Sequence, residues 1–246
     1  MKKNVWKLTA IILMLSVFLS YTGTGVALSV VKEYQYHINA NGESYGYGVQ
    51  AEVIGYEPDL IAATGIDGTD GYVRRSDLEG PLPSSPGEAL AMQSSEGRYI
   101  PLYKSDGETS IGEFYISPPV ISTSQLTRGT NTEGAIGLIE TDICTYRNQN
   151  TGSGDGNRAY ASTRIWTPYN VGGGYMAAKA RIYGAGDKKL KAESDWAYNT
   201  ADSSSVTAMT SHWTLYGTYY SHGLTMEWTG SGYWTHNTFA TPNFTV

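Results

Sequence analysis

Glu57-Pro58-Asp59-Leu60-Ile61-Ala62-Ala63-Thr64-Gly65-Ile66-Asp67-Gly68-Thr69-Asp70-Gly71-Tyr72-Val73-Arg74-Arg75-Ser76-Asp77-Leu78 reads as a β-hairpin closed by a helical turn. Leu60 to Ile66 is an apolar run containing the β-branched Ile61 and Ile66. Asp67-Gly68 and Asp70-Gly71 supply turn chemistry, because glycine takes positive φ without strain. Tyr72 and Val73 resume an extended segment, and Ser76-Asp77-Leu78 ends it as a tight turn with Leu78 directed inward.

Segments on both sides fit the same β-rich pattern. Upstream, Glu33–Ile38 alternates and stops at the turn cluster Asn39-Ala40-Asn41-Gly42. Tyr45–Val53 reads as a second strand whose glycines imply a bend or a close backbone approach. Downstream, Ser85-Pro86-Gly87-Glu88 has the form of a capping box, with Ser85 as N-cap and Glu88 reaching back to the Ser85 amide. A short helix over Glu88–Ser94 follows, offering Ala89, Leu90 and Met92 for packing and depending on docking for its stability. Arg98–Tyr103 and Thr109–Ile116 flank an Asp106-Gly107 turn and form a second hairpin. Pro101 places the first of these strands at an edge or a bulge.

Ser117 to Gly134 is rich in Ser, Thr, Pro and Gly and reads as a linker. Composition changes across it. Glu33–Ser117 carries 14 acids against 4 bases, whereas Pro118–Val246 carries nine of each and five of the six tryptophans. The expected organisation is therefore a leader (1–27), an acidic β-rich module (33–117), a linker (118–134) and an aromatic-rich domain (135–246). That last region offers strands at Ala135–Tyr146, Arg158–Trp166, Tyr175–Tyr183, Leu190–Tyr198, Ser205–Tyr216, Tyr219–Trp228 and Tyr233–Phe239, mostly separated by turn residues. The predicted fold class is mainly β: a small β-rich module with one short helix, then an antiparallel β-sandwich or barrel.

The N-terminus points to export. Lys2, Lys3 and Lys7 precede the short apolar run Leu8–Leu19, and Gly25-Val26-Ala27 supplies small residues for signal cleavage. The run is shorter than the roughly 18–20 residues that span a bilayer. Cleavage leaves 14 basic and 23 acidic side chains, a net of −9. That balance argues against nucleic acid or anionic membrane as partners. The single Cys144 excludes an internal disulfide, and its alternating surroundings read as a strand holding an inert thiol. A disulfide-free exported chain fits secretion across a single membrane, as in Gram-positive bacteria.

Two stretches carry a resemblance. Ile66–Leu78, with its turn, Gly71-Tyr72-Val73 and terminal Leu78, resembles the closing hairpin of bacterial SH3-like domains. Tyr36–Ile116 resembles a recurrent module of exported proteins from Bacillus-type bacteria. The matching positions are Asn41-Gly42 with Tyr45-Gly46, Pro58–Ile61, Gly71–Arg74, Glu88–Leu90, Ile100–Tyr103 and Ile111–Phe114. That module brings no catalytic assignment. The second half is similar to uncharacterised secreted β-domains.

Candidate chemistry is sparse. His212, His222 and His236 lack the close spacing of a zinc site. Glu140, Asp142, Asp195 and Glu227 are the acids that a glycosidase would need to pair in a cleft. Asp67 and Asp70 lack the remaining ligands of a calcium loop. No nucleophile elbow, zinc-protease or phosphate-loop motif occurs. Neither a catalytic residue nor a metal or cofactor is expected, and the aromatics stand out instead. Tyr219, Tyr220, Trp228, Tyr233 and Trp234 sit at or beside turns, where rings stack on sugar faces or anchor a protein partner. The Thr229–Gly232 turn makes residues near it meet across the strand pair, and alternation sends Tyr233 and Trp234 to opposite faces, so at most one of the two can be core and the other is exposed at the same end as Trp228 or its neighbour. The reading is a secreted, non-catalytic binding protein acting on cell-wall glycan or an extracellular protein. The alternatives are a secreted β-sandwich effector of bacteriocin type and a glycan-directed hydrolase.

Overall fold

The computed structural model describes residues 35–119, 130–141, 144–156, 158–211, 213 and 215–246. The leader, Asp142 and His212 lie outside them. Two short strands, β1 (His37–Ile38) and β2 (Ser44–Gly46), pair antiparallel around the Asn39–Gly42 turn. The chain then coils where Tyr45–Val53 predicts a strand. The Gln50 side chain accepts the Tyr47 amide at 3.1 Å, and a 3-10 turn (Gly48–Gln50) runs into α1 (Ala51–Ile54).

The hairpin is β3 (Leu60–Thr64) and β4 (Asp70–Arg74), in register from Leu60↔Arg74 to Thr64↔Asp70. Gly68 takes φ +84° in its turn, where no side chain would sit easily, and Asp67 accepts the Thr69 amide. Asp70-Gly71, which reads as further turn chemistry, lies inside β4. The helical turn is α2 (Arg75–Glu79), and its Leu78 is fully buried.

The short helix is α3 (Pro86–Met92), as long as the expected Glu88–Ser94 but set two residues toward the N-terminus. The Ser85 hydroxyl accepts the Glu88 amide, as a cap should. The Glu88 carboxylate, however, accepts the amide of Ser84 at 2.7 Å and not that of Ser85.

The second hairpin is β5 (Arg98–Tyr103) and β6 (Ser110–Ser117), with a register shift between Leu102 and Tyr103. β5 meets β4 only at Tyr72↔Tyr103, so Pro101 has a strand partner on one side alone, Glu113 of β6.

Past residues 120–129, the end of the stretch read as a linker is itself strand. β7 (Thr130–Glu133) and β8 (Gly137–Glu140) both pair with β9 (Thr145–Asp155). The pattern over Ala135–Tyr146 is thus two strands, and Cys144 is buried at the end of the turn between them. β10 (Arg158–Val171) continues antiparallel to β9.

Three predicted strands then prove to be bent pairs. β11 (Met176–Lys179) and β12 (Arg181–Gly184) meet at Ala180, and β13 (Leu190–Ser194) and β14 (Ala197–Tyr198) meet at Asp195-Trp196. β15 (Ser203–Met209) follows, and β16 (Thr218–Ser221) and β17 (Leu224–Trp228) meet at His222-Gly223. β18 (Tyr233–Asn237) and β19 (Phe244–Thr245) complete the chain. At each bend the chain leaves one sheet for another, which is how steeply crossed sheets build their corners.

β11, β14, β17 and β18 form a front sheet; β7, β8, β9, β10 and β15 form a back sheet; β12, β13, β16 and β19 join the strands of the first half. Tyr146, Ala161, Ile165, Met176, Ala178, Ile182 and Val206 fill the space between the sheets in a sandwich-like arrangement.

β13 explains why the chain does not divide at residue 118. It runs parallel to β6 at Glu193↔Ile116 and parallel to β3 at Leu190↔Ala63. With those pairings β3, β4, β5, β6 and β13 close into a ring around Ile61, Val73, Leu78, Ile100, Leu102, Phe114 and Leu190. Burying each such side chain is worth about 1.5–3 kcal/mol. The expected separate module (33–117) and domain (135–246) are therefore one compact unit, Gln35–Val246. Among the described residues no helix is long and apolar enough to cross a membrane.

Candidate binding groove

Alternation along β17 sorts its side chains between two environments. Thr225 and Glu227 face the back sheet, where Thr225 accepts from Asn148 of β9 and Glu227 pairs with His236 at 2.7 Å. Leu224, Met226 and Trp228 face outward with Ala177, Tyr198 and Tyr233. This outer face is only partly covered. α3 lays Ala89 and Leu90 on it, and Gln93 then grips β14 by donating to the Trp196 carbonyl (3.1 Å) and accepting the Tyr198 amide (2.8 Å).

A row of rings crosses the face. The Tyr198 and Tyr233 centroids are 6.4 Å apart, edge to face, and Tyr233 and Trp228 follow at 5.1 Å. The Tyr233 hydroxyl donates to the Gly174 carbonyl, and the Trp228 amide donates to Tyr175, which anchors the turn end of the hairpin. Burial pushes the Tyr198 and Tyr233 hydroxyls well above the usual phenol range, so both are donors throughout the physiological range.

At the Tyr198 end the row opens into a pocket of about 370 Å³. Trp196, Tyr198 and Met92 give it an apolar lining, while Glu79, Arg98 and Asp195 stand around it as charged groups. Arg98 is fixed by donating to the carbonyls of Asp77 (2.6 Å) and Leu78 (3.0 Å) and to Asp195 (3.3 Å).

A buried charge chain supports this corner. Lys179 lies 5.2 Å from the Trp196 ring and donates to Leu78 and to Glu193. Glu193 also binds Arg181 at 2.6 Å, and Arg181 binds Glu57. Burial works against the Arg181 charge, but Glu193 and Glu57 hold the guanidinium well above its ordinary value. Glu57 is raised by burial and drawn back by Arg181. Charges alternate along the chain, so each is compensated where it is desolvated.

The residues singled out from sequence fall in three places. Trp228 and Tyr233 are half-buried members of the ring row. Trp234 is 62% exposed and points away from Tyr233, as alternation requires. Tyr219 and Tyr220 do not join them, at 5% and 4% exposure. The bend at His222-Gly223 leaves β16 in the ring-closing sheet, between β12 and β19. There Tyr219 packs near Phe244, and Tyr220 stacks on Tyr183 at 5.3 Å.

Of the candidate acids, Asp195 is bound by Arg98 and Glu227 is buried against His236. Residues 79–98 of the pocket come from a part of the chain far from 195–198, so no local motif marked it. Comparison with family models, curated proteins and solved structures returned no match.

Proposed function

We propose that the chain, exported after loss of Met1–Ala27, acts outside the cell as a non-catalytic protein that binds cell-envelope glycan along the ring row. The observation that carries this reading is the half-buried pair Tyr233 and Trp228 on one partly open face, backed by the buried rings of Tyr198 and Trp196 beside a pocket ringed by charged groups. Sugar rings present an apolar face that stacks on an aromatic ring and hydroxyls that bind carboxylate and guanidinium. One stacked ring contributes about 1 kcal/mol, so useful binding needs the row and not a single member.

The test is retention on isolated cell wall and on soluble wall glycans. Trp228→Ala should weaken retention about fivefold, and Tyr233→Ala by a similar factor. Trp234→Ala, on the opposite face, should leave it unchanged. If wild-type protein does not pellet with wall, or if folded Trp228→Ala and Tyr233→Ala bind as wild type does, the reading fails.

A further inference from the structure

We infer that the outer face of the back sheet is a second binding face, for an acidic polysaccharide, with Trp166 as its ring platform and Arg147 and Arg164 as its anion clamps. It is independent of the ring row, because the two sheets pack their inner faces on one core and turn these outer faces apart. Burial alternates along three adjacent strands there. Asn148, Ile165 and Val206 point inward and are buried, and their partly exposed neighbours point outward. Register sets Arg147, Trp166 and Ser205 in one row and Gln149, Arg164 and Thr207 in the next. The Arg164 guanidinium lies over the Trp166 ring, 5.1 Å from its centroid, and Arg147 is the direct cross-strand neighbour of Trp166.

Charge selects the ligand. Arg74, Arg75, Arg98, Arg158 and Arg181 each have a carboxylate oxygen within 4.0 Å. Arg147 and Arg164 have none among the described residues, although the chain as a whole is acidic, with a net charge of −6. On the neighbouring strands Glu133 accepts from Gln149 at 3.4 Å, and Glu140 pairs with Thr145, one diagonal step from Arg147. At such a step, about 7–8 Å, water reduces the attraction to a small part of that of a contact pair. Two guanidiniums beside one ring therefore stay available, and each binds a carboxylate, sulfate or phosphate through paired N–H donors. Trp166 adds an apolar platform for a sugar ring, and Gln149, Ser205 and Thr207 offer amide and hydroxyl groups to its hydroxyls. An acidic peptide supplies the charge without the sugar face. Nucleic acid draws on many cations at once, and this face has two that are unpaired.

The experiment titrates the mature chain at low ionic strength with polygalacturonate, dextran sulfate, dextran, polyglutamate and oligo-dT, read by heat and by tryptophan fluorescence. Polygalacturonate or dextran sulfate should bind at least about tenfold more tightly than neutral dextran, and polygalacturonate more tightly than polyglutamate, its peptide counterpart. Arg147→Gln and Arg164→Gln, at partly exposed positions, should each weaken that binding about fivefold without shifting the thermal midpoint, and Trp166→Ala should weaken it by a similar factor. Trp228→Ala, on the other sheet, should leave it unchanged. Equal binding of dextran and both charged glycans, or unaltered binding in the two arginine variants, overturns the face. Equal or tighter binding of polyglutamate assigns it to acidic peptide, and tighter binding of oligo-dT assigns it to nucleic acid; either overturns it. Loss of acidic-glycan binding in Trp228→Ala places the ligand on the ring row and overturns this face while the earlier reading stands. Loss of wall retention in Trp228→Ala with acidic-glycan binding intact supports both.

Discussion

His222 occupies the bend between β16 and β17, 1% exposed, with its ring against the Thr238 backbone. Arg181 is nearby, the Tyr183 ring lies 6.2 Å away, and the nearest carboxylate oxygen, on Glu52, is 3.7 Å away. Burial, helped by Arg181, pushes the imidazole down to about 4. The unfolded chain takes up this proton near pH 6.5 and the folded chain only near 4, so stability rises with pH across that window. Acidification from 6.5 to 4 should therefore remove up to about 3 kcal/mol through this residue. Glu57, raised by burial, acts in the opposite sense, and lowered carboxyls such as Asp59 and Asp70 lose their contribution only at still lower pH. Urea unfolding at several pH values should show the slope between 4.5 and 6.5 flatten in His222→Gln. An unchanged slope would show that His222 is not buried as a neutral ring.

Elements with local causes could be read from the sequence. The Asp67-Gly68 turn, the Asp106-Gly107 turn and the Ser85 cap each depend on residues within four positions of one another. The three corners could not be read that way. Ala180 lies between Met176–Lys179 and Arg181–Gly184, every residue of which is buried, so the strand pattern continues unbroken across the bend. His222-Gly223 looks equally uninterrupted, yet it redirects the chain and removes Tyr219 and Tyr220 from the face that carries Trp228. The aromatic content of that face was visible in the sequence, whereas the pocket depends on α2, α3 and β14 meeting in space. Gly223 shows how tightly a corner is built. A Cβ there would lie 2.5 Å from the Lys179 carbonyl oxygen and press on Thr163 and Asn150. Gly223→Ala should cost at least about 1–3 kcal/mol in denaturant unfolding, because a backbone atom cannot rotate away. Gly186→Ala, with open space around it, serves as the control and should cost much less. Equal costs would mean that the corner is not closely packed.

At the scale of the whole molecule, β13 joins the acidic first half to the aromatic second half. A specific protease site inserted between residues 124 and 125 tests this directly. After cleavage the two pieces should co-elute in native buffer and unfold in one transition, since β13 remains paired with both β3 and β6. Separate elution, or two transitions, would restore the division suggested by composition. The same strand also orders events during synthesis. Leu190 leaves the ribosome about seventy residues after Ser117, a delay of roughly 4–15 s at usual elongation rates. Throughout that interval β3 to β6 are staves without their closing member, and a long-range parallel seam is among the slowest contacts to form. Under the export proposed above, the chain would thereby stay loose enough to be threaded through a translocation channel, and would lock only after its C-terminal half had crossed.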